Sequence, residues 1–434
     1  MNAWVIGVVA LLFVGSSGLC SDVYTARYPA STRSRDLKIP VTYHLWLPPG
    51  DQPVRAVIVH QHGCGEGAEM SGETAALDLH WRALALRHHA ALLSPHYMAG
   101  TNNCRIWCDP RQGSETAFLR ALNDLGKASG HPELESVPWC LWGHSGGGFW
   151  ASLMLEAYPE RIVGVFCRSG TATLAAEKGE IPKPRYRQQA YLVPVILNPG
   201  MKEKDEANFN GAWDASWKFF QQFRSNGAPV AFAPDPFSSH DCRNSRLLAI
   251  PFFDACLRLR LPELGDRLKT LDRARGFVGD WQTGEIKSAL GSESALSWLP
   301  DSNSAQAFAD YVRYGVTTDK TIPKIAPAME SVTRDSSGGF ILRWSAVADF
   351  ESGIRQFMIY RDGKLLARYP EEVNSRSGFP QFQGISYHDT PGQHPPEMVY
   401  VDQKVPQGAN PVYSVSMING TGLESSRSIG MKAK

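Results

Sequence analysis

Apolar runs of two kinds alternate along the chain between about residues 38 and 260. Short runs with many β-branched residues, such as "RAVIVHQ" at 55–61, are typical of buried strands. Longer segments carry apolar residues at helical spacing, as in "GSETAFLRALNDLGKAS" at 113–129. Strands that alternate with helices indicate βαβ units, so we expect a mostly parallel sheet with helices on both faces.

The same pattern predicts the position of each element in this region. The predicted strands lie at 41–47, 55–61, 89–95, 137–142, 161–169, 190–200 and 228–236, and the predicted helices lie at 72–89, 113–129, 146–160, 212–227 and 242–260. We therefore assign residues 22–262 to one α/β domain.

The pattern changes after this domain. Residues 263–322 are rich in turn residues and predict an irregular extension, with Trp281 and Trp298 as packing anchors, that ends in a Pro- and Thr-containing linker. Residues 323–434 contain short strand-like runs separated by Gly, Pro, Asp and Asn, which predict an all-β sandwich.

The first twenty residues have a composition of their own. The apolar run "WVIGVVALLFV" is followed by small residues, which is typical of a secretory signal peptide at 1–20, although no Lys or Arg precedes the run. A buried N-terminal strand is the alternative. A lipid anchor on Cys20 is less favoured because the bulky Leu19 precedes it. We expect an exported protein that keeps no integral membrane segment once the signal is removed.

Overall charge limits the partners. The chain has 44 Lys and Arg against 43 Asp and Glu, and its net charge of +1 gives no electrostatic argument for binding nucleic acid or an anionic membrane. The eight cysteines are compatible with an oxidising compartment. Cys104 and Cys108 form the obvious local pair, whereas Cys140 and Cys167 fall in predicted interior strands and are expected to be buried thiols.

Candidate chemistry begins at "WCLWGHSGGG", residues 139–148. Ser145 lies between a predicted strand and a predicted helix, with glycines two positions away on either side, as a nucleophile on a tight turn requires. An oxyanion hole then needs two backbone N–H donors, and Gly146, directly after the serine, supplies one. The turn "HGCG" at 62–65 follows an earlier strand, and we assign the second donor to the Cys64 amide; an ordinary glycine turn is the alternative.

A general base is expected in a loop after the last strand of this domain. "AFAPDPFSSHDC" places His240 there, immediately before a helix. Between residues 132 and 387 the only other histidine is His144, which lies inside the serine turn and points away from the position of the base. This exclusion favours His240 as the base that takes the proton of Ser145.

Together these motifs make residues 38–260 resemble an α/β-hydrolase. In that family an acid follows the preceding strand, three residues after a glycine, and counting from Gly200 in "VPVILNPGMKEKDEAN" gives Glu203. Aspartate is the commoner acid at this point, so Asp205 is the second candidate, and a solvated acidic loop without a catalytic role is a third interpretation. The resemblance implies a hydrolase with a serine, histidine and acid triad and an acyl-enzyme intermediate, without metal or cofactor.

The histidine–glycine–cysteine turn is similar to that of secreted feruloyl or acetyl esterases and polyhydroxyalkanoate depolymerase-like enzymes. This similarity implies a carboxylic-ester substrate, which could be linked to a polymer. The long loop at 95–113 is expected to wall the pocket, and either substrate contact or simple packing would explain Tyr97 and Trp107. A serine peptidase on the same fold and a catalytically inert glycan-binding or adhesion protein are the alternatives.

The C-terminal region resembles a fibronectin type III domain over residues 325–432. The resemblance is carried by the L-x-W that ends at Trp344, the "YRDGK" hairpin and the Y-x-V that begins at Tyr413. In that family the tryptophan belongs to the core and the tyrosine closes a corner. No residue of this domain is a candidate for catalysis, and the sequence leaves open whether the sandwich binds polymer or only spaces domains.

Overall fold

The computed structural model describes residues 23–100, 104–263, 265, 267–289, 295–373, 375, 378–392, 397–406 and 408–433. The signal peptide predicted at 1–20 and the anchor position Cys20 lie outside the described residues. Within those ranges, no helix has the length and apolar character needed to cross a membrane.

A sheet of eight strands forms the centre of the first domain, in the order β1-β2-β4-β3-β5-β6-β7-β8. The first two strands are antiparallel to their neighbours, and the pairs from β4 to β8 are parallel. The strands are β1 Val23–Tyr28, β2 Val41–Trp46, β3 Val57–Gln61, β4 Ala91–Tyr97, β5 Trp139–His144, β6 Ile162–Arg168, β7 Val195–Asn198 and β8 Val230–Phe232. The edge strand β1 is not among the strands predicted from the sequence.

Helices cover both faces of this sheet because successive side chains of a strand point to opposite sides. The helices are α1 Glu66–Thr74, α2 Leu79–His88, α3 Arg105–Cys108, α4 Ser114–Ser129, α5 Gly146–Ala157, α6 Thr173–Glu177, α7 Asn210–Ser225, α8 Arg246–Arg260 and α9 Ser302–Tyr314. In β3, Val57 and Val59 enter one hydrophobic core, which includes residues of α4, α5 and α7, whereas Ile58 enters a second core with residues of α2, α8 and α9. The predicted mostly parallel sheet with helices on both faces is confirmed.

The single helix predicted at 72–89 is two helices in the structure. Asp78 separates them, because its carboxylate accepts hydrogen bonds from the backbone N–H groups of His80 and Trp81 at 2.9 and 3.1 Å and so caps the start of α2. The apolar periodicity continues across Asp78, so the sequence pattern predicted one helix and gave no sign of the break.

The extension at 263–322 is more regular than predicted. It contains a three-stranded sheet in the order β10-β9-β11 and the helix α9, which Asp301 caps and which buries Phe308 in the second core. The strands are β9 Phe277–Gly279, β10 Ile286–Ser288 and β11 Ser297–Leu299. Trp298 is buried, and Trp281 packs its ring edge-on against Trp213.

The C-terminal region is an all-β sandwich, as predicted. Two three-stranded sheets have the orders β12-β13-β16 and β15-β14-β17. Their strands are β12 Ala328–Arg334, β13 Phe340–Ser345, β14 Ile354–Arg361, β15 Lys364–Tyr369, β16 Val399–Asp402 and β17 Tyr413–Asn419. Trp344 and Tyr413 are buried between the sheets, and Ala83 of α2 joins this core from the first domain. The two domains therefore share a packed interface.

Candidate active site

Ser145 lies on the sharp turn between β5 and α5. Its backbone has φ 52° and ψ −113°, a conformation that a residue with a side chain rarely adopts. The backbone N–H of Ser145 donates to Arg168 O on the adjacent strand at 2.8 Å, which fixes the turn. A strained serine between a strand and a helix is the geometry of a nucleophile elbow.

The glycines after Ser145 allow the start of α5 to approach its neighbours closely. A Cβ on Gly147 would collide with Gln61 O at the end of β3, and a Cβ on Gly146 would collide with the Sγ atom of Cys64. Close packing, as well as the tight turn, therefore requires the run of glycines.

His240 lies in the loop between β8 and α8, and its imidazole contacts the side chain of Ser145. Its Nε2 atom is 2.8 Å from Ser145 Oγ. The imidazole ring stacks on the ring of Phe209, with 4.3 Å between centroids and 9° between planes. The stacking restricts rotation of the imidazole, so the histidine is held in its orientation before any substrate binds.

Glu203 completes the array from the loop after β7. Its Oε1 atom is 2.6 Å from His240 Nδ1, and its Oε2 atom accepts the N–H of Gly200 at 3.3 Å. Glu203 is fully buried, whereas Asp205, the second candidate, is exposed. Because a carboxylate only accepts, Nδ1 carries the proton and Nε2 is left to accept the hydroxyl of Ser145.

Two residues that the sequence did not single out for this role hold the loop of His240. Arg168, buried at the end of β6, donates to Ser238 Oγ at 2.7 Å and to Ser239 O at 3.0 Å. His144 Nε2 lies 2.6 Å from the carbonyl oxygen of His240. An arginine that ends an otherwise apolar strand next to the serine turn was the available signal for Arg168.

His144 is a neutral imidazole in this site. Burial lowers the pKa of His144 well below its ordinary value, and the nearby His388, His240 and Arg168 lower it further. Its ring contacts the main chain of His240, in agreement with its exclusion as the base of Ser145.

A pocket of about 540 Å³ opens in front of the array. Ser145 and His240 line it together with Gly146 and Cys64, the two residues assigned to the oxyanion hole. Its other described lining residues are Cys104, Arg105, Cys108, Phe149, Ser169, Gly170, Thr171, Leu174, Ala175, Lys178, Glu180, Asn208, Phe209, Gly211, Ala212 and Ala215. Among the residues that the structure describes, no cluster of three or more His, Cys, Asp or Glu side chains could hold a metal ion.

The predicted pairing of Cys104 with Cys108 is wrong. Cys104 forms a disulfide with Cys64, 40 positions away, with 5.6 Å between the Cα atoms. Cys108 lies one helical turn beyond Cys104, at the end of α3, and is a buried free thiol, as are Cys140 and Cys167. Proximity along the chain suggested the local pair, whereas the fold brings the loop at 104–113 against the HGCG turn.

Tyr97 and Trp107 lie in the first hydrophobic core. Each is about 2% exposed, and their rings stack with 4.8 Å between centroids and 7° between planes. Neither is among the described residues that line the pocket. Both residues pack in the core, and a contact between either of them and a substrate stays a prediction.

Comparison with known proteins gives only remote structural likenesses. No protein-family model and no curated protein matches the chain. A ferulic acid esterase is 17% identical, with 51% of this chain and 92% of that chain covered and a TM-score of 0.36. An S-formylglutathione hydrolase from Agrobacterium tumefaciens is 14% identical, with 56% and 95% covered and a TM-score of 0.37. A Fn3-like protein from Clostridium thermocellum is 19% identical, with 26% and 93% covered and a TM-score of 0.17. Likenesses of this size do not identify an activity or a substrate.

Proposed function

We propose that this protein is a carboxylic-ester hydrolase that uses Ser145 as its nucleophile. The observation that supports this proposal is the hydrogen-bonded array Ser145–His240–Glu203, which opens onto the pocket. A serine, a base and an orienting acid in this order are the arrangement by which a neutral hydroxyl becomes nucleophilic.

Acylation follows from the positions of the three side chains. Ser145 Oγ attacks the carbonyl carbon of the ester while His240 Nε2 takes the hydroxyl proton. The carboxylate of Glu203 stabilises the imidazolium that forms, and the N–H groups of Gly146 and Cys64 bind the oxyanion. The C–O bond to the alcohol then breaks, His240 returns the proton to the leaving alcohol, and the acyl group remains on Ser145.

Deacylation reverses the roles. A water molecule that takes the place of the alcohol gives a proton to His240 and attacks the acyl carbon. The second tetrahedral intermediate releases the carboxylic acid, and the proton on His240 returns to Ser145 Oγ. Each turnover consumes one ester and one water and needs no cofactor.

We also propose that the enzyme acts outside the cytoplasm. The disulfide between Cys64 and Cys104 supports this location, because such bonds persist in oxidising compartments. The leader-like composition of residues 1–20 agrees with it.

The test is hydrolysis of a panel of p-nitrophenyl, feruloyl and acetyl esters, with peptide p-nitroanilides alongside. Ser145→Ala is expected to lower kcat by about 10⁴-fold or more. Ser129→Ala, at the end of α4, is the control and is expected to keep wild-type activity. Unchanged activity in Ser145→Ala contradicts the mechanism. Turnover of the anilides alone indicates a peptidase, and no turnover of any substrate indicates an inert protein.

A further inference from the structure

We propose that the C-terminal sandwich supplies a positioning residue, His388, that holds the His240 loop in its catalytic geometry through His144. This inference rests on the function proposed above. Nothing in the sequence pattern connects a residue of the sandwich with the active site. The structure places His388 directly behind the serine turn, where His144 Nδ1 and His388 Nδ1 are 2.9 Å apart.

The chemistry of the atoms fixes the direction of these hydrogen bonds. The carbonyl oxygen of His240 can only accept, so His144 Nε2 carries a proton. A neutral His144 then has only a lone pair on Nδ1, and His388 Nδ1–H is the donor to it. His388 therefore selects the tautomer of His144 that can bind the carbonyl of His240.

The backbone of the His240 loop is held through three successive carbonyl groups. Arg168 of the first domain donates to the oxygens of Ser239 and Asp241. The oxygen between them, that of His240, is bound by His144. His388 thus acts on the residue that carries the catalytic imidazole, and its own side chain does not reach the substrate pocket's described lining.

The turn that carries His388 is anchored firmly. The backbone N–H of His388 donates to Ser386 Oγ at 3.1 Å, and Asp389 follows with φ 58°. The guanidinium of Arg246 binds Asp389 Oδ1 at 2.8 Å and Asp389 O at 2.9 Å, and all of these groups are buried. The buried ion pair between Arg246 and Asp389, the residue after His388, therefore holds this turn in place.

A second contact joins the same turn to the His240 loop. The backbone N–H of Cys242 donates to Tyr387 O at 3.0 Å. The loop is therefore attached to the sandwich at residue 242 directly and at residue 240 through His144. Gly63 of the HGCG turn leaves room for the rings of His144 and His388. A Cβ at this position would lie 3.0 Å from His144 Nδ1 and 3.2 Å from His388 Nδ1.

The experiment compares three variants of the full chain. His388→Leu removes the donor, His388→Asn keeps an N–H near the same position, and Gln383→Ala is the matched control. Gln383 also joins the two domains, through Leu79 N at 2.7 Å and Leu77 O at 3.1 Å, but does not contact the serine turn. The readouts are kcat and KM on an active ester and the downfield ¹H NMR signal of the His240 Nδ1 proton, which lies between Nδ1 and Glu203.

His388→Leu is expected to lower kcat by about 10- to 100-fold, with KM within about twofold, since a small displacement of a catalytic group acts on the chemical step. Its downfield signal should broaden or shift. His388→Asn and Gln383→Ala should keep the signal and keep kcat within about threefold. Wild-type kcat and signal in His388→Leu, or equal losses in all three variants, overturn the proposal.

A second route applies if His388→Leu does not fold. Added imidazole is expected to restore kcat in His388→Ala by filling the space of the lost ring, and no restoration in the folded variant counts against the proposal. If the wild type hydrolyses no ester, the proposed esterase function fails. The role of His388 is still tested in that case, because the downfield signal reports whether His388 positions His240.

Discussion

Glu203 occupies the position proposed for the triad acid, with a side chain one methylene longer than the commoner aspartate. Its oxygens bind His240 Nδ1 and the N–H of Gly200, so the carboxylate is held from both sides. Glu203→Gln keeps the size of the side chain but no longer stabilises the imidazolium. We expect kcat to fall by about 10³- to 10⁴-fold on a p-nitrophenyl ester.

Asp205→Asn is the control for this substitution, because Asp205 is exposed two positions away. It should retain wild-type kcat. A large loss of kcat in Asp205→Asn, together with wild-type kcat in Glu203→Gln, would show that Asp205 rather than Glu203 is the acid.

At the scale of residues, the order of strands made three side chains predictable. Ser145, Glu203 and His240 each follow a strand of the parallel sheet, and the carboxyl ends of such strands meet at one edge. His388 could not be predicted in the same way, since its place beside His144 depends on how a separate domain packs. The partner of Cys104 likewise depended on the path of a loop in space rather than on spacing.

At the scale of elements, the disulfide Cys64–Cys104 ties the HGCG turn to the loop at 104–113. Both sulfur atoms lie against the site where Gly146 has no side chain, so the disulfide supports the wall of the assigned oxyanion hole. In Cys64→Ala/Cys104→Ala we expect kcat to drop by about 10- to 100-fold, since the Cys64 amide is no longer held in place. Closing a loop of 40 residues also stabilises the fold by about 4 kcal/mol.

Dithiothreitol provides the matched measurement for this prediction. Reduction of the wild type should reproduce the loss of kcat, and the double variant should not respond to the reagent. If kcat is the same with and without the disulfide, the amide of Cys64 does not depend on it.

The start of α2 allows a second prediction at this scale. Asp78 caps the helix and also binds the guanidinium of Arg246, with 2.8 Å between Oδ2 and Nη2. Burial raises the pKa of Asp78, but the charge and hydrogen bond of Arg246, the backbone hydrogen bond from Trp81 and the charge of His80 together outweigh it, so the pKa is lowered and the carboxylate is charged. Asp78→Ala leaves a buried arginine with one partner fewer and should lower the free energy of unfolding by about 3–5 kcal/mol.

Asp301→Ala is the comparison, because Asp301 also caps a helix, α9, but its ion pair with Arg258 lies at the surface rather than in the core. Loss of this cap and of the surface ion pair should cost about 1–2 kcal/mol. Urea unfolding of both variants gives the comparison, and equal losses would mean that the ion pair of Asp78 adds no more to its cap than the surface ion pair of Asp301 does. Helical periodicity predicted α2 but not its first residue, since the ion pair that fixes Asp78 comes from a distant helix.

At the scale of the whole molecule, the sandwich is joined to the first domain by buried polar groups. Arg246 of α8 lies between Asp78 of the first domain and Asp389 of the second, and Trp81 Nε1 donates to Asp389 Oδ2 at 3.3 Å. Buried charges are tolerated only when paired, so separating the domains would expose or orphan them. The fold class of each domain was predictable from its sequence pattern, but the buried polar groups between the domains were not, because they come from segments that are far apart in the chain.

Two buried carboxyl groups also connect the linker to the sandwich by hydrogen bonds. Asp319 of the linker and Asp349 of the sandwich share the hydroxyl of Ser352 as a donor, with Oγ–Oδ2 distances of 2.6 and 3.1 Å. The amide of Asn419 donates to both of them as well. Burial and the neighbouring charges of Asp319 and Glu351 raise the pKa of Asp349 to about 7.

This raised pKa predicts how stability depends on pH. Between pH about 4 and about 7 the folded protein keeps a proton on Asp349 that the unfolded chain releases, so the contribution of this group to stability is lost as the pH rises through that window. Asp349→Asn carries no titrating proton. In urea unfolding, the stability of the wild type relative to Asp349→Asn should therefore be lower at pH 8 than at pH 5. A difference that is constant or grows with pH would show that Asp349 is ionised in the folded protein across this range, and that the linker is held by a charged rather than a protonated carboxyl group.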